Sequence, residues 1–409
     1  MGTARELHHA TVPLRPPGVV MRLARMGASH QTRLSFLRAL LRRAARERWR
    51  FDRPHFDICR EGFGTAVYRA RLPSGAVSLV CFSTLLAPEK RTDRVIAEAW
   101  DTSYALYDGE PDEAAIARLR ENVPRQEAGR YSVRELVLAR ANRSVRLFDT
   151  VVDALAAGRQ PDRRTIEAVG YLMRTTAVYG NGKFGIADRD VVLRHPELAG
   201  PFRAEMLAVW LIRTFTLDLV EHVAQARGGA RAVAIEPAVR RLFGIGNATG
   251  LGMAPFLVKH PTLIGRWIGA RETALARVRS RAEATPDQLA RFSDALARAR
   301  TALPVWQTGD PVQAPRIEGV ARDLATLADA LVEPRRALDG VGGLWDRIYR
   351  YAEARFAMEA QEMVVSLLLE PHGDLVDDLA ETMAVDETSE HAIDGLMTCG
   401  TLAGLIDRH

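Results

Sequence analysis

"HFDICREGFGTAVYRARLPSGAVSLVCFS", residues 55–83, is the stretch on which the fold turns. Three runs within it, HFDIC, TAVYRARL and AVSLVCFS, are rich in β-branched and aromatic side chains, which suit a pleated, half-buried surface. REGFG and PSG separate the runs, and glycine and proline there supply the backbone angles of tight turns. The spacing predicts a three-stranded antiparallel meander that ends near Leu85.

On either side the apolar period changes from two to 3.6. Upstream, Leu34, Leu37, Leu40 and Leu41 recur between arginines, the mark of an amphipathic basic helix. Downstream the chain reads as helix almost throughout. Ser132 and Glu135 have the spacing of a capping box, which predicts a helix running to about Ala157 and stopping at Gly158. Pro161 and Gly180 bracket the next helix. The most apolar run, Ala204 to Val220, is broken by Glu205, Arg213 and Asp218, so a buried helix with a paired Arg213–Asp218 network is expected rather than a membrane span. Thr285, Pro286 and Gln288 open a further helix, and residues 344–370 form a long amphipathic one. LPVWQTGDPVQAPR, 303–316, is a linker by its prolines.

The expected fold class is therefore α+β, predominantly α-helical, with a small N-terminal antiparallel β-meander followed by a large helical region. The expected organisation is a basic amphipathic helical arm (1–50), the small sheet (51–90), a main helical domain carrying the site (91–302), the linker (303–316), and a C-terminal helical region with an acidic tail (317–409).

Composition narrows the class. An apolar content of 47% with 26% charged residues places the chain among globular proteins rather than disordered ones. Cys59, Cys81 and Cys399 form neither a CxxC pair nor a metal-ligand spacing, which suits a reducing, cytoplasmic compartment. Met1 to Pro17 is polar and proline-broken, so a secretory leader is not expected. The charge is unevenly placed: residues 1–50 hold eleven arginines against Glu6 and Glu47, and residues 370–409 hold ten acids against Arg408. The two ends are expected to meet within the chain or across a homodimer. Aromatics are not interleaved among the arginines, so nucleic acid is not an expected partner.

The residues that stand out for chemistry are the scarce ones. Among 56 cationic side chains only Lys90, Lys183 and Lys259 are lysine, and asparagine occurs only at 122, 142, 181 and 247. Four of these seven fall in two glycine-rich segments, YGNGKFG (179–185) and GIGNATGLGMAPFLVKHP (244–261). Arginine keeps its proton while lysine can give it up, and asparagine both donates and accepts, so neither is replaced without changing what a position does. Glycine-rich loops let backbone N–H groups approach a phosphate or carboxylate closely. Neither segment meets the dinucleotide or P-loop spacing. Lys90, in APEKRTD, reads as an exposed loop residue.

The candidate site follows from this clustering. Lys183, Tyr179, Lys259 and His260 are the proton-transfer or charge-stabilising candidates. Arg94, Arg146 and Arg174 are candidate anion clamps, with Asn142, Asn181, Gly182, Asn247, Thr249 and Gly250 as further substrate-binding positions. Asn142 and Arg146 are read as neighbouring turns of one helix. Histidines show no HxxxH or HExxH pattern; DRD at 188–190 with His195 is the nearest approach to a cation set. GxSxG is absent and no serine has an evident base.

Residues 61–83, EGFGTAVYRA…AVSLVCFS, resemble the glycine-rich hairpin of the protein-kinase small lobe. The resemblance implies a turn-glycine hairpin and no kinase activity, because the strand that should bear the phosphate-pairing lysine reads SLVCF and the HRD…N and DFG sets are missing. The expected function is an enzyme acting on a small anionic metabolite by metal-independent lyase or transferase chemistry, with no cofactor. The alternative is a non-catalytic regulatory or interaction protein.

Overall fold

The computed structural model describes residues 33–92, 97–125, 130–180, 194–198, 203–244, 261–303, 313–333, 337–338 and 340–382. The fold is α+β, with an antiparallel sheet in the N-terminal half followed by a helical region. The chain forms two compact units, Phe36–Ala248 and Met1–Ser35 with Thr249–His409.

In the first unit α1 (Phe36–Arg46) precedes β1 (Arg50–Ile58), β2 (Gly64–Leu72) and β3 (Gly75–Ser83). These three strands are the meander read from residues 55–83. β2 and β3 pair from Gly64–Ser83 to Leu72–Gly75, leaving Pro73 and Ser74 as the connection. Gly64 is obligatory at the other turn: its φ is +141°, and a Cβ there would lie 2.0 Å from the Asp57 carbonyl oxygen.

The sheet does not stop at Leu85. It continues through β4 (Thr102–Asp108), β5 (Glu135–Arg143) and β6 (Met173–Gly180), giving six antiparallel strands in the order β1-β2-β3-β4-β5-β6. Helices α2 (Glu113–Asn122), α3 (Phe148–Ala156) and α4 (Arg163–Val169) lie between the later strands in sequence. The expected helices at 132–157 and 161–180 thus each contain a strand. Only half of the capping box at Ser132 forms: its N–H donates to Glu135 Oε2 at 2.5 Å, but its Oγ donates to the same oxygen at 2.9 Å instead of accepting the Glu135 N–H, which goes to the Ser132 carbonyl at 3.3 Å. These bonds introduce β5 instead of a helix. A cap contributes about 1 kcal/mol, whereas Val137, Leu138 and Ala139 are all buried between two strand neighbours. Similarly, Gly170 ends α4 in the left-handed region, and the β-branched Thr175, Thr176 and Val178 then enter β6.

Helix α5 (Arg203–Gly228) covers one face of the sheet. Its Phe215 stands edge-on to Tyr68 and Tyr104, at ring-centre distances of 6.1 and 5.8 Å. On the opposite face Leu119 of α2 packs with Val67, Val80, Phe82, Ala105, Tyr107 and Leu138. The Arg213–Asp218 network does not form, because residues five apart on a helix point about 140° away from each other. Asp218 accepts from Tyr68 Oη at 2.8 Å and from Arg53 at 2.9 Å. Arg213 turns instead to the carbonyls of Phe243 (2.7 Å) and Arg240 (2.5 Å), at the end of α6 (Pro237–Arg240).

The second unit is helical: α7 (Pro261–Arg279), α8 (Pro286–Ala302), α9 (Gln313–Ala330), α10 (Leu344–Arg355), α11 (Met358–Leu369), α12 (Gly373–Val376) and α13 (Leu379–Thr382). Thr285 and Gln288 form the reciprocal capping box that opens α8. The single helix expected over 344–370 is two, broken where Phe356 is extended (φ −100°, ψ 154°). One arginine of the basic end meets the acidic end here, and arginines of α7 and the turn after it hold two more of its acids. Arg33 grips Asp377 with two hydrogen bonds of 2.7 Å and donates to the Glu370 carbonyl at 3.0 Å. Asp378 is held by Arg277, and Asp374 by Arg281.

His372, fully buried, stands perpendicular to the Trp345 ring at 4.7 Å. Burial pushes its pKa down from 6.5 to about 4, helped by Arg281 and Arg33 and opposed by Asp374. Between those values the unfolded chain binds a proton that the folded chain refuses. Stability is therefore full above pH 6.5 and falls as the pH drops toward 4, by about 3 kcal/mol. Thermal midpoints at pH 7 and pH 4 should separate more for the wild type than for His372→Phe, which keeps the ring contact and loses the titration. No described helix is long and apolar enough to cross a membrane.

Candidate functional site

The end of β5 and the start of β6 build one corner of the sheet unit. Asn142 pairs with Arg174 and Arg143 with Met173, and the Ser144 N–H extends the pairing to the Leu172 carbonyl at 2.8 Å. This registration brings the turn after β5 beside the residues that precede β6. Arg146 Nη2 donates to Tyr171 Oη at 3.0 Å, and Arg174 Nη1 donates to the same oxygen at 3.1 Å. The Arg174 guanidinium also lies over the Tyr171 ring, 5.4 Å from its centre.

Two guanidiniums on one phenol oxygen have consequences. A phenol oxygen has two lone pairs, and both are taken, so its own O–H is left to donate to a third group. The donor nitrogens stand at most about 6 Å apart, close enough for like charges to repel appreciably where solvent is partly excluded. Arg174 has no ion-pair partner among the described residues, and its Nε is buried without a hydrogen bond. An anion at this corner would relieve the repulsion and accept the phenolic proton.

Another cation, Arg213 of α5, lines a cleft beside the start of β6. The cleft is narrow, and Leu172, Met173, Ile212 and Leu217 line it as well. Burial, with the nearby charge of Arg240, pushes the Arg213 pKa down to about 10. Its described partners are two carbonyls and the Trp210 ring, with no carboxylate among them.

Asn142 does something other than bind at the surface. It is fully buried in β5, so it is no helical neighbour of Arg146. Its Oδ1 accepts from the Asp101 N–H at 2.9 Å and its Nδ2 donates to the Ala99 carbonyl at 3.0 Å. The amide thereby fixes the approach to β4. Buried Asp101 also accepts from the Arg143 N–H at 3.0 Å and faces Arg91 at 3.4 Å. Burial raises its pKa, against the pull of those arginines.

Tyr179 lies in β6, where its backbone pairs with Leu138. Lys183, Asn181, Gly182, Asn247, Thr249, Gly250, Lys259, His260 and Arg94 lie outside the described residues. The last described residues before the two glycine-rich segments are fixed. Gly180 ends β6 opposite Val137, whereas the Gly244 N–H donates to the Gly170 carbonyl, ahead of the start of β6. The two segments therefore leave from opposite ends of one strand. Among the described residues no three His, Cys, Asp or Glu side chains gather as a metal ion would need.

Sequence reading selected Arg146 and Arg174 and missed Tyr171, the group that joins them. No spacing rule connects 146 with 171; only the registration of β5 on β6 does. No family model matches the chain, and neither a curated protein nor a solved structure matches it.

Proposed function

We propose that the protein is an enzyme acting on a small metabolite that carries a carboxylate or phosphate. Arg146 and Arg174 hold the anion and Tyr171 donates its O–H to it. The observation that carries this reading is the pair of guanidiniums on the single Tyr171 oxygen. Fixed cations and an oriented hydroxyl stabilise developing negative charge, the requirement of lyase and transferase steps that proceed without a metal. Tyr179, five residues farther along β6, stands about 16 Å from Arg174 at the rise of an extended strand, so Tyr171 is the proton donor of this reading. A cytoplasmic location and a homodimer belong to the same proposal.

Titration calorimetry with inorganic phosphate and a panel of small carboxylates tests it. Binding is expected, and Arg174→Met should weaken it about 10- to 100-fold, the worth of a charge-assisted hydrogen bond. Tyr171→Phe should weaken it less, with little change in thermal midpoint. Unchanged affinity in Arg174→Met would remove this corner from the site. Binding without turnover of any ligand would move the protein to the regulatory class.

A further inference from the structure

The other end of the same sheet carries a second arrangement, which the anion site does not use. The β2–β3 connection, the end of β4 and residues 194–198 meet there. Ser74 Oγ lies 2.9 Å from His195 Nδ1, and His195 Nε2 lies 2.7 Å from Oδ1 of Asp108, the last residue of β4. The imidazole is 5% exposed and Asp108 9%, while Ser74 is exposed at the hairpin tip. Base and orienting carboxylate are shielded and the hydroxyl is accessible. A purely structural clasp has no need of that division.

The chemistry follows from the hydrogen-bonding capacities. An ionised Asp108 can only accept, so Nε2 carries the ring proton, and neutral imidazole then turns the Nδ1 lone pair to the Ser74 hydroxyl. Glu197 adds a second acceptor: its Oε1 takes the Ser74 N–H at 2.9 Å and its Oε2 the Ser74 Oγ at 2.6 Å. Arg194 stands 3.4 Å from Asp108 Oδ2, and Arg134 donates to the Asp108 backbone carbonyl at 2.7 and 3.1 Å. Hydroxyl, base and orienter come from three separate elements, and the hydroxyl proton has an acceptor on either side.

We propose that Ser74 is an activated nucleophile, and that this end of the sheet is an esterase-type site for neutral carboxylic esters. Ser74 Oγ bonds to the ester carbonyl carbon as its proton passes to His195 Nδ1. The bond from that carbon to the alcohol oxygen breaks, and the departing oxygen takes the proton from Nδ1. A water, deprotonated by Nδ1, attacks the acyl-serine, releasing the carboxylic acid and restoring the Ser74 hydroxyl. Asp108 and Glu197 place negative charge around the reacting oxygen, so acids and phosphates are disfavoured here, unlike at the Arg146–Arg174 corner.

The test is labelling of the full chain with a fluorophosphonate probe, read by peptide mass mapping, alongside p-nitrophenyl acetate hydrolysis. A single adduct on Ser74 is expected, and it should vanish in Ser74→Ala together with the hydrolysis. Asp108→Asn keeps the size of the side chain but favours the wrong tautomer, and should slow labelling at least about tenfold with the thermal midpoint little changed. Labelling scattered over several serines, or equal rates for wild type and Asp108→Asn at equal stability, overturns the proposal. Should Asp108→Asn fail to fold, Ser74→Ala decides alone: it removes only the exposed hydroxyl, and undiminished hydrolysis by it is equally fatal.

Discussion

Glu362→Ala is expected to destabilise the helical unit by about 3–5 kcal/mol, the cost of leaving a buried charge without its counter-ion. Arg271 of α7 and Glu362 of α11 form an ion pair in which both side chains are only 2% exposed. Arg271 Nη2 also donates to the Glu362 carbonyl at 3.1 Å and to Ser366 Oγ at 3.2 Å, and the guanidinium lies over the Trp267 ring. Truncating the carboxylate leaves the carbonyl and hydroxyl acceptors but removes the negative charge. The cation must then be hydrated or expelled, and either route opens the packing of α7 on α11. The pair itself need not be stabilising relative to apolar side chains, since both ions lose their water on folding. Arg271→Met combined with Glu362→Leu should therefore recover most of the loss. Urea midpoints by circular dichroism for the single and double variants check this. A single variant within 1 kcal/mol of wild type would mean that water reaches the pair.

The same contrast between local signal and distant partner explains what could be read in the chain. Residues 55–83 were legible because alternation and turn glycines are properties of neighbours. β5 and β6 were not. The Ser132–Glu135 hydrogen bonds are real, but nothing local to them tells that Val137 to Ala139 will lie between two strands. A strand buried on both faces also loses the alternation that would announce it. The basic and acidic ends were legible as charge, and Arg33 on Asp377 satisfies part of both within the chain.

The candidate sites divide in the same way. Arginine at 146 and 174 could be proposed from residue type alone. Tyr171 acquires its role from strand registration, and Ser74 meets His195 across 121 residues of sequence. His195 drew attention only beside Asp188 and Asp190, which lie outside the described residues. Its actual carboxylate is Asp108, delivered by the end of β4.

Phe215→Ala should cost the sheet unit about 3–5 kcal/mol, at the upper end for a buried phenylalanine. The size of such a loss depends on whether neighbours can move into the space. Phe215 is fully buried, and the two rings it meets edge-on are tethered at their far ends. Tyr68 Oη donates to Asp218 and Tyr104 Oη donates to Met173 Sδ at 3.1 Å. Neither phenol can slide inward without giving up that bond, so the cavity stays open and two aromatic contacts are lost with the transfer energy. Phe215→Leu, which refills much of the volume, should cost less than half as much. The effect also reaches the anion corner. Met173 adjoins Arg174 in β6, so relaxation of Tyr104 into the vacated space would pull on the strand that sets Arg174 against Tyr171. Phe215→Ala should accordingly weaken phosphate or carboxylate binding under conditions where the variant remains folded, while Phe215→Leu preserves it. Chemical denaturation followed by tryptophan fluorescence, with calorimetric titration of the folded variants, measures both effects. Loss of stability with undiminished anion affinity would show that α5 supports the sheet without setting the geometry of the site.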